Sequence, residues 1–190
     1  MCCHIIALCL ALYALMVCGN PIDSMIPGDK VVEMSWEVEP YPGGPPVILN
    51  GTVQKVYARL IEINPSYDDD WKASRPEPEL HARSPTQDVS CKAPWDAGLD
   101  AIKSGIRYLR KVQGRPRLDG GTCSRVSCSY NSAITWCNDS KGQKILPSFN
   151  NIADGAQVIV NKCTRRTPNA VQGTLGHTDE WRVIVNRAIC

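Results

Sequence analysis

Few residues in this 190-residue chain have the type and spacing to do chemistry, and its three histidines narrow the possibilities most. His4 falls in an apolar leader and His81 in a Pro-rich stretch. His177 is therefore the one imidazole set among carboxylates, in Thr174-Leu175-Gly176-His177-Thr178-Asp179-Glu180. With Glu180 and the following Arg182 it has the makings of a ribonuclease-like site, in which a Glu, an Arg and a His surround a scissile phosphate. A polar loop is the plainer reading, because a mobile loop holds catalytic geometry poorly. Ser127 and Ser129 flank Cys128 without a G-x-S-x-G elbow, so a serine hydrolase is not supported. Asp68-Asp69-Asp70 lacks the alternating ligands of a calcium loop and reads as a solvated helix end.

The second reactive set is the ten cysteines. Cys2, Cys3, Cys9 and Cys18 lie in the leader, and the other six are Cys91, Cys123, Cys128, Cys137, Cys163 and Cys190. Six is an even number and fits three disulfides in an oxidising compartment. A tetrahedral zinc site would need paired C-x-x-C or H-x-x-x-H spacings, which are absent, so neither a metal nor another cofactor is expected. Cys123 and Cys128 are five apart on a presumed strand, which puts them on opposite faces and out of reach of each other. The helix ending at Cys163 must pack back on the sheet, which suggests Cys137 as its partner. Cys91 and Cys190 then share Cys123 and Cys128 in either order.

The elements that must position these residues begin after an uncharged run from Ile5 to Val17, too short to cross a bilayer, for which about 20 residues are needed. We read residues 1–19 as a signal peptide cleaved after Gly19, and the chain as secreted and extracellular. Residues 20–71 read as a ββα module. Val32, Met34, Trp36 and Val38 alternate as in a half-buried strand, and Val47-Ile48-Leu49 makes a second strand after a Pro/Gly turn. A helix then carries Val53, Val56, Tyr57, Leu60 and Ile61 on one face, from Thr52 to Asn64-Pro65. Residues 72–88, with Pro76, Pro78 and Pro85, form a linker whose cleavage would make the first module a pro-segment.

Residues 89–190 are the disulfide-stapled domain. Leu99, Ile102, Ile106 and Leu109 mark one helix, closed by Gly114. Val126, Cys128 and Tyr130 form a hairpin with Ile134 and Trp136 about a turn at Asn131-Ser132. Ser148 caps a helix with Phe149, Ile152, Ala153, Ala156, Ile159 and Val160 inward, and Trp181, Val183 and Val185 line a last strand. One further strand is expected near Val89. The order gives an α+β two-layer sandwich, an antiparallel sheet with helices on one face.

The net charge of +2 and the scattered Lys and Arg residues exclude an extended nucleic-acid footprint. One concentration stands out, Lys103, Arg107, Arg110, Lys111, Arg115 and Arg117, either a solvated face or a surface for an acidic partner or anionic membrane. Asn50-Gly51-Thr52 and Asn138-Asp139-Ser140 are sequons, with Asn50 the better acceptor because Asn138 follows a cysteine. Five tryptophans against a single Phe mean that burial leans on indoles whose N–H groups need partners, so some should lie at the rim of the core.

Several stretches carry a family likeness: Val89-Ser90-Cys91-Lys92 with Trp95, the run from Gly120-Gly121-Thr122-Cys123 through Val126-Ser127-Cys128-Ser129-Tyr130 to Ile134, Trp136-Cys137-Asn138-Asp139, Ile152-Ala153-Asp154-Gly155-Ala156, and Trp181-x-Val183-Ile184-Val185. Together they resemble the small cysteine-rich secreted proteins of filamentous fungi, including candidate effectors, and more loosely the pattern of killer-toxin-like and necrosis-inducing domains. The resemblance covers about 100 residues, Val89 to Cys190. It implies secretion, a compact disulfide-bonded sandwich, and a non-enzymatic role in binding a host or competitor protein or cell-surface component, with virulence as a possible context. It brings no catalytic residues with it. A ribonuclease-like hydrolase using His177 and an antifungal killer-type toxin are the alternatives.

Overall fold

The computed structural model describes residues 28–74, 86–93, 95–165 and 169–190, with the side chains of Thr86 and Gln87 excepted. The leader 1–19, His81 and linker residues 75–85 lie outside the described residues.

In chain order the elements are β1 (Ser35–Val38), β2 (Val47–Asn50), α1 (Val53–Ile63), α2 (Tyr67–Ser74), β3 (Thr86–Ser90), β4 (Ala97–Gly98), α3 (Leu99–Lys111) and β5 (Arg117–Leu118). They continue with β6 (Thr122–Ser129), β7 (Ser132–Asn138), β8 (Lys144–Ile145), α4 (Phe149–Cys163), β9 (Thr164–Arg165), β10 (Ala170–Val171), β11 (Gly173–His177) and β12 (Trp181–Arg187). The main sheet is fully antiparallel in the order β3-β11-β12-β7-β6, and α1, α3 and α4 pack against it. The fold is thus the α+β arrangement that the periodicities imply, preceded by β1, β2 and α1.

The two helices at its centre form where the apolar spacing places them. Leu99, Ile102, Ile106 and Leu109 are buried along α3, and Ile152, Ala153, Ala156, Ile159 and Val160 along α4. Ser148 begins α4 with a reciprocal cap: its Oγ accepts from the Asn150 N–H at 3.1 Å, and its own N–H donates to Asn151 Oδ1 at 3.1 Å. Gly105 lets α3 lie close on β6, because a Cβ there would come within 2.3 Å of Ser127 Oγ.

Residues of the 20–71 segment do not pack as a module of their own. Met34, Trp36, Val38, Val53, Val56, Leu60 and Tyr67 belong to the same apolar cluster as α3, α4 and the sheet. Trp36 stacks on Phe149 with ring centres 4.5 Å apart, and its Nε1–H donates to Gly51 O at 2.7 Å. Trp95 is the rim indole, 63% exposed. Tyr67 is buried with its hydroxyl accepting from the Gln113 N–H at 2.9 Å, and burial pushes its pKa up to about 12. Both ends of the expected linker also fall within elements. Lys72 to Ser74 finish α2, and Thr86 to Asp88 open β3.

The expected polar loop at 174–180 is instead mostly strand. β11 pairs with β3 on one side and β12 on the other, with Gly173, Leu175 and His177 turned to the helices and buried. Two glycines and a threonine hide that alternation in the sequence.

The disulfides differ from the expected set. They are Cys91–Cys163, Cys123–Cys137 and Cys128–Cys190, with Cα separations of 5.3, 3.9 and 5.5 Å. The register of β6 on β7 shifts between Arg125 and Ser127, so Val126 is an extra residue that resets the alternation. Cys123 then faces Cys137 and Cys128 faces Ala133; since 133 and 137 are four apart on β7, both cysteines lie on one face. That face points away from α4, so Cys137 cannot reach Cys163 without passing through the sheet. Only the Cys128–Cys190 pair matches one of the two open alternatives.

Candidate functional site

The groups of the His177 reading are not brought together. His177 is 6% exposed and stacks on its cross-strand neighbour Trp181, ring centres 3.4 Å apart and planes 8° from parallel. Above it lies Gly155 of α4, where a Cβ would sit 3.7 Å from Nε2 and 2.8 Å from Val183 Cγ2. Both ring nitrogens are buried without a partner among the described residues, and burial lowers the pKa to about 4, against a smaller opposing pull from Asp179. Arg182 occupies the opposite face of β12, held by Asp139 and by Asp29 at 2.6 Å. Asp179 turns to Lys144 at 3.9 Å, while Glu180 is exposed at the tip of the β11–β12 turn with φ 61°. Asp29 also lies near the Cys123–Cys137 bridge, but oxidised sulfurs offer no thiolate to a metal and Asp29 is already paired.

Three of the six cations are already paired within the chain. Lys111 is bound by Asp68 and Tyr57, Arg110 by Asp154 at 2.7 Å, and Arg117 by Glu37 at 3.2 Å. Lys103, Arg107 and Arg115 remain exposed without an ion pair among the described residues. Asp68, Asp69 and Asp70 fill the first turn of α2, where negative charge complements the helix dipole, as the solvated helix end requires. Asn138 is 1% exposed and its Nδ2–H donates to Leu118 O at 3.0 Å and Gly142 O at 2.8 Å. A glycan on that nitrogen would break both bonds, which removes Asn138 as an acceptor in the folded chain. Asn50 is exposed at the end of β2.

A different set does converge, at the end of the sheet where the β6–β7 turn meets residues 187–190. Tyr130 and Asn131 both have positive φ, 48° and 52°, and form a two-residue turn of the kind that matches strand twist, one residue earlier than the turn read from sequence. Tyr130 is 92% exposed at its tip. Trp95 also has positive φ, 64°, a conformation that costs an L-residue about 1–2 kcal/mol. It is held there by the Arg187 N–H, which donates to Trp95 O at 3.1 Å.

The C-terminal residues are fixed one after another. Besides Arg187, the Ala188 N–H donates to Asn131 O at 3.2 Å, the Arg125 guanidinium donates to Ile189 O, and Cys190 is bonded to Cys128. Ser132 Oγ ties the turn to β4, donating to Tyr130 O at 3.1 Å and accepting from the Gly98 N–H at 2.9 Å. Ile189 is 63% exposed on this scaffold.

Three cavities open beside it. One of about 360 Å³ is lined by Trp95, Asn131, Arg187, Ala188 and Ile189. Another of about 390 Å³ lies beyond Tyr130, with Leu99, Asp100, Ser104 and Asn169 in its wall. The third, about 360 Å³, lies across Ile189, between the Cys128–Cys190 bridge and Val31 to Met34, with Lys55 and Arg125. A rigid apolar ridge between concave surfaces is suited to binding, since little ordering remains to be lost on association. The sequence predicts that some of the five indoles lie at the rim of the core but not which, and nothing in it singles out Tyr130, Arg187 or Ile189.

No protein-family model, curated protein or solved structure matches this chain.

Proposed function

We propose that the chain is a secreted, effector-like binding protein that engages a host or competitor component through the Trp95, Tyr130 and Ile189 edge, without turnover. The observation that carries this reading is the exposure of three large apolar side chains on a backbone clamped by hydrogen bonds and a disulfide, two of the three at positive φ. Strain of that kind persists only where surrounding structure over-determines it, and it clusters at functional sites. Three disulfides suit an oxidising compartment, and among the described residues no helix is long and apolar enough to cross a membrane.

The test compares the protein with a Trp95→Ala/Tyr130→Ala double variant, both labelled and applied to the surfaces of candidate host and microbial cells, and both incubated with RNA. The reading expects cell association that falls at least tenfold in the double variant, with RNA left intact by both. Hydrolysis of RNA that disappears in His177→Ala would replace binding by catalysis, and equal association of both proteins would remove the edge from the account.

A further inference from the structure

The cavity behind Trp95 says what kind of partner the edge would take, an inference that rests on the binding reading above. Its walls are the Trp95 indole, Ile189 and Ala188, with two polar side chains, Asn131 and Arg187. Arg187 is exposed and, among the described residues, has no ion pair, whereas Arg165 and Arg182 are each held by aspartates. Its side chain is left over because its backbone N–H alone makes the contact to Trp95. Asp96, next to Trp95 in the chain, is committed to Arg165, and the cavity lining holds no carboxylate among the described residues.

We propose that this cavity docks a segment of a partner protein in which a carboxylate adjoins a large aliphatic or aromatic side chain, the carboxylate meeting Arg187 and the apolar group lying on Trp95 and Ile189. A guanidinium beside an indole recognises that combination well, because the planar fork takes a carboxylate through two N–H bonds while the neighbouring apolar group lies on the indole. Trp, Tyr and Arg are the residues on which binding energy concentrates at protein interfaces. A glycan would need more neutral donors and acceptors than the single amide of Asn131 supplies. A second copy of the chain would have to bring an exposed carboxylate to each Arg187, and concentration-dependent shifts without peptide would reveal it.

The experiment is a titration of the full secreted chain, ¹⁵N-labelled, with a terminally blocked pentapeptide bearing adjacent aspartate and leucine, and with versions carrying asparagine or lysine for the aspartate. Saturable shifts of the Trp95 indole and Arg187 Nε signals, with affinity for the aspartate peptide about tenfold above the asparagine one, support the proposal. Arg187→Gln should abolish that preference without changing the rest of the spectrum, and Trp95→Gly, which removes the indole and suits the positive φ, should abolish the shifts. Equal affinity for the aspartate and lysine peptides, no shift at Trp95, or concentration-dependent shifts of the same signals without peptide would overturn it. If the peptides fail while the Trp95→Ala/Tyr130→Ala variant still loses cell association, only the partner chemistry is wrong. If that variant associates normally, the binding reading itself falls.

Discussion

Acidification should weaken this protein through His177, and the size of the effect follows from its surroundings. The imidazole is 6% exposed, stacked on Trp181 and covered by Gly155, with neither nitrogen hydrogen-bonded among the described residues. Its pKa is lowered from 6.5 to about 4, first by desolvation, with Asp179 opposing weakly. The sign is that of a buried neutral base: the unfolded chain takes up a proton as pH falls below about 6.5, while the folded chain does not until about 4. Stability is therefore complete above pH 6.5 and is lost as pH falls between those values. With each tenfold change in proton affinity corresponding to about 1.4 kcal/mol, the loss approaches about 3 kcal/mol by pH 4. Urea unfolding of wild type and His177→Phe at pH 7, 5.5 and 4 isolates this contribution, because the phenyl ring retains the stack on Trp181 without a titrating group. The stability of wild type relative to the variant should drop by about 3 kcal/mol across that range. A difference that stays flat, or one that favours wild type in acid, would refute the buried neutral histidine and revive a solvent-facing, titrating His177.

Three further outcomes follow from the same contacts. Trp95→Gly should be more stable than Trp95→Ala by about 1 kcal/mol in thermal or urea unfolding, since both lose the indole and only glycine adopts positive φ without cost. Replacing each cystine by paired alanines should cost least for Cys123–Cys137, whose separation is 14 residues, at about 3 kcal/mol, and about 4 kcal/mol for Cys91–Cys163 and Cys128–Cys190, separated by 72 and 62; unfolding midpoints give the order. Trp36→Ala should lower the stability of the whole protein by about 3–5 kcal/mol in one transition, because the ring is fully buried on Phe149 and belongs to the common core, whereas a separately folded N-terminal module would give two transitions.

The sequence made the packing skeleton legible and left the site illegible, for physical reasons that can be located. The buried stripes of α3 and α4 stand out because a helix repeats its face every three to four residues, and the cap at Ser148 marks where α4 begins. β11 escaped because glycine leaves no side chain to show its alternation. The disulfides escaped because one extra residue at Val126 reverses which way every later side chain of β6 points, a local event with no signature in composition. The edge at Trp95 is assembled from three distant stretches that meet only when Arg187 and Ala188 bond to Trp95 and Asn131. No spacing rule encodes that meeting.

Non-reducing peptide mapping of the protein recovered from culture medium after expression of the full chain tests the account at its base. Secretion with Cys91 joined to Cys163, Cys123 to Cys137 and Cys128 to Cys190, the last bridge anchoring the Ile189 ridge, is the predicted result. Retention inside the cell with alkylatable thiols, or a map that leaves Cys190 unpaired with Cys128, would contradict it.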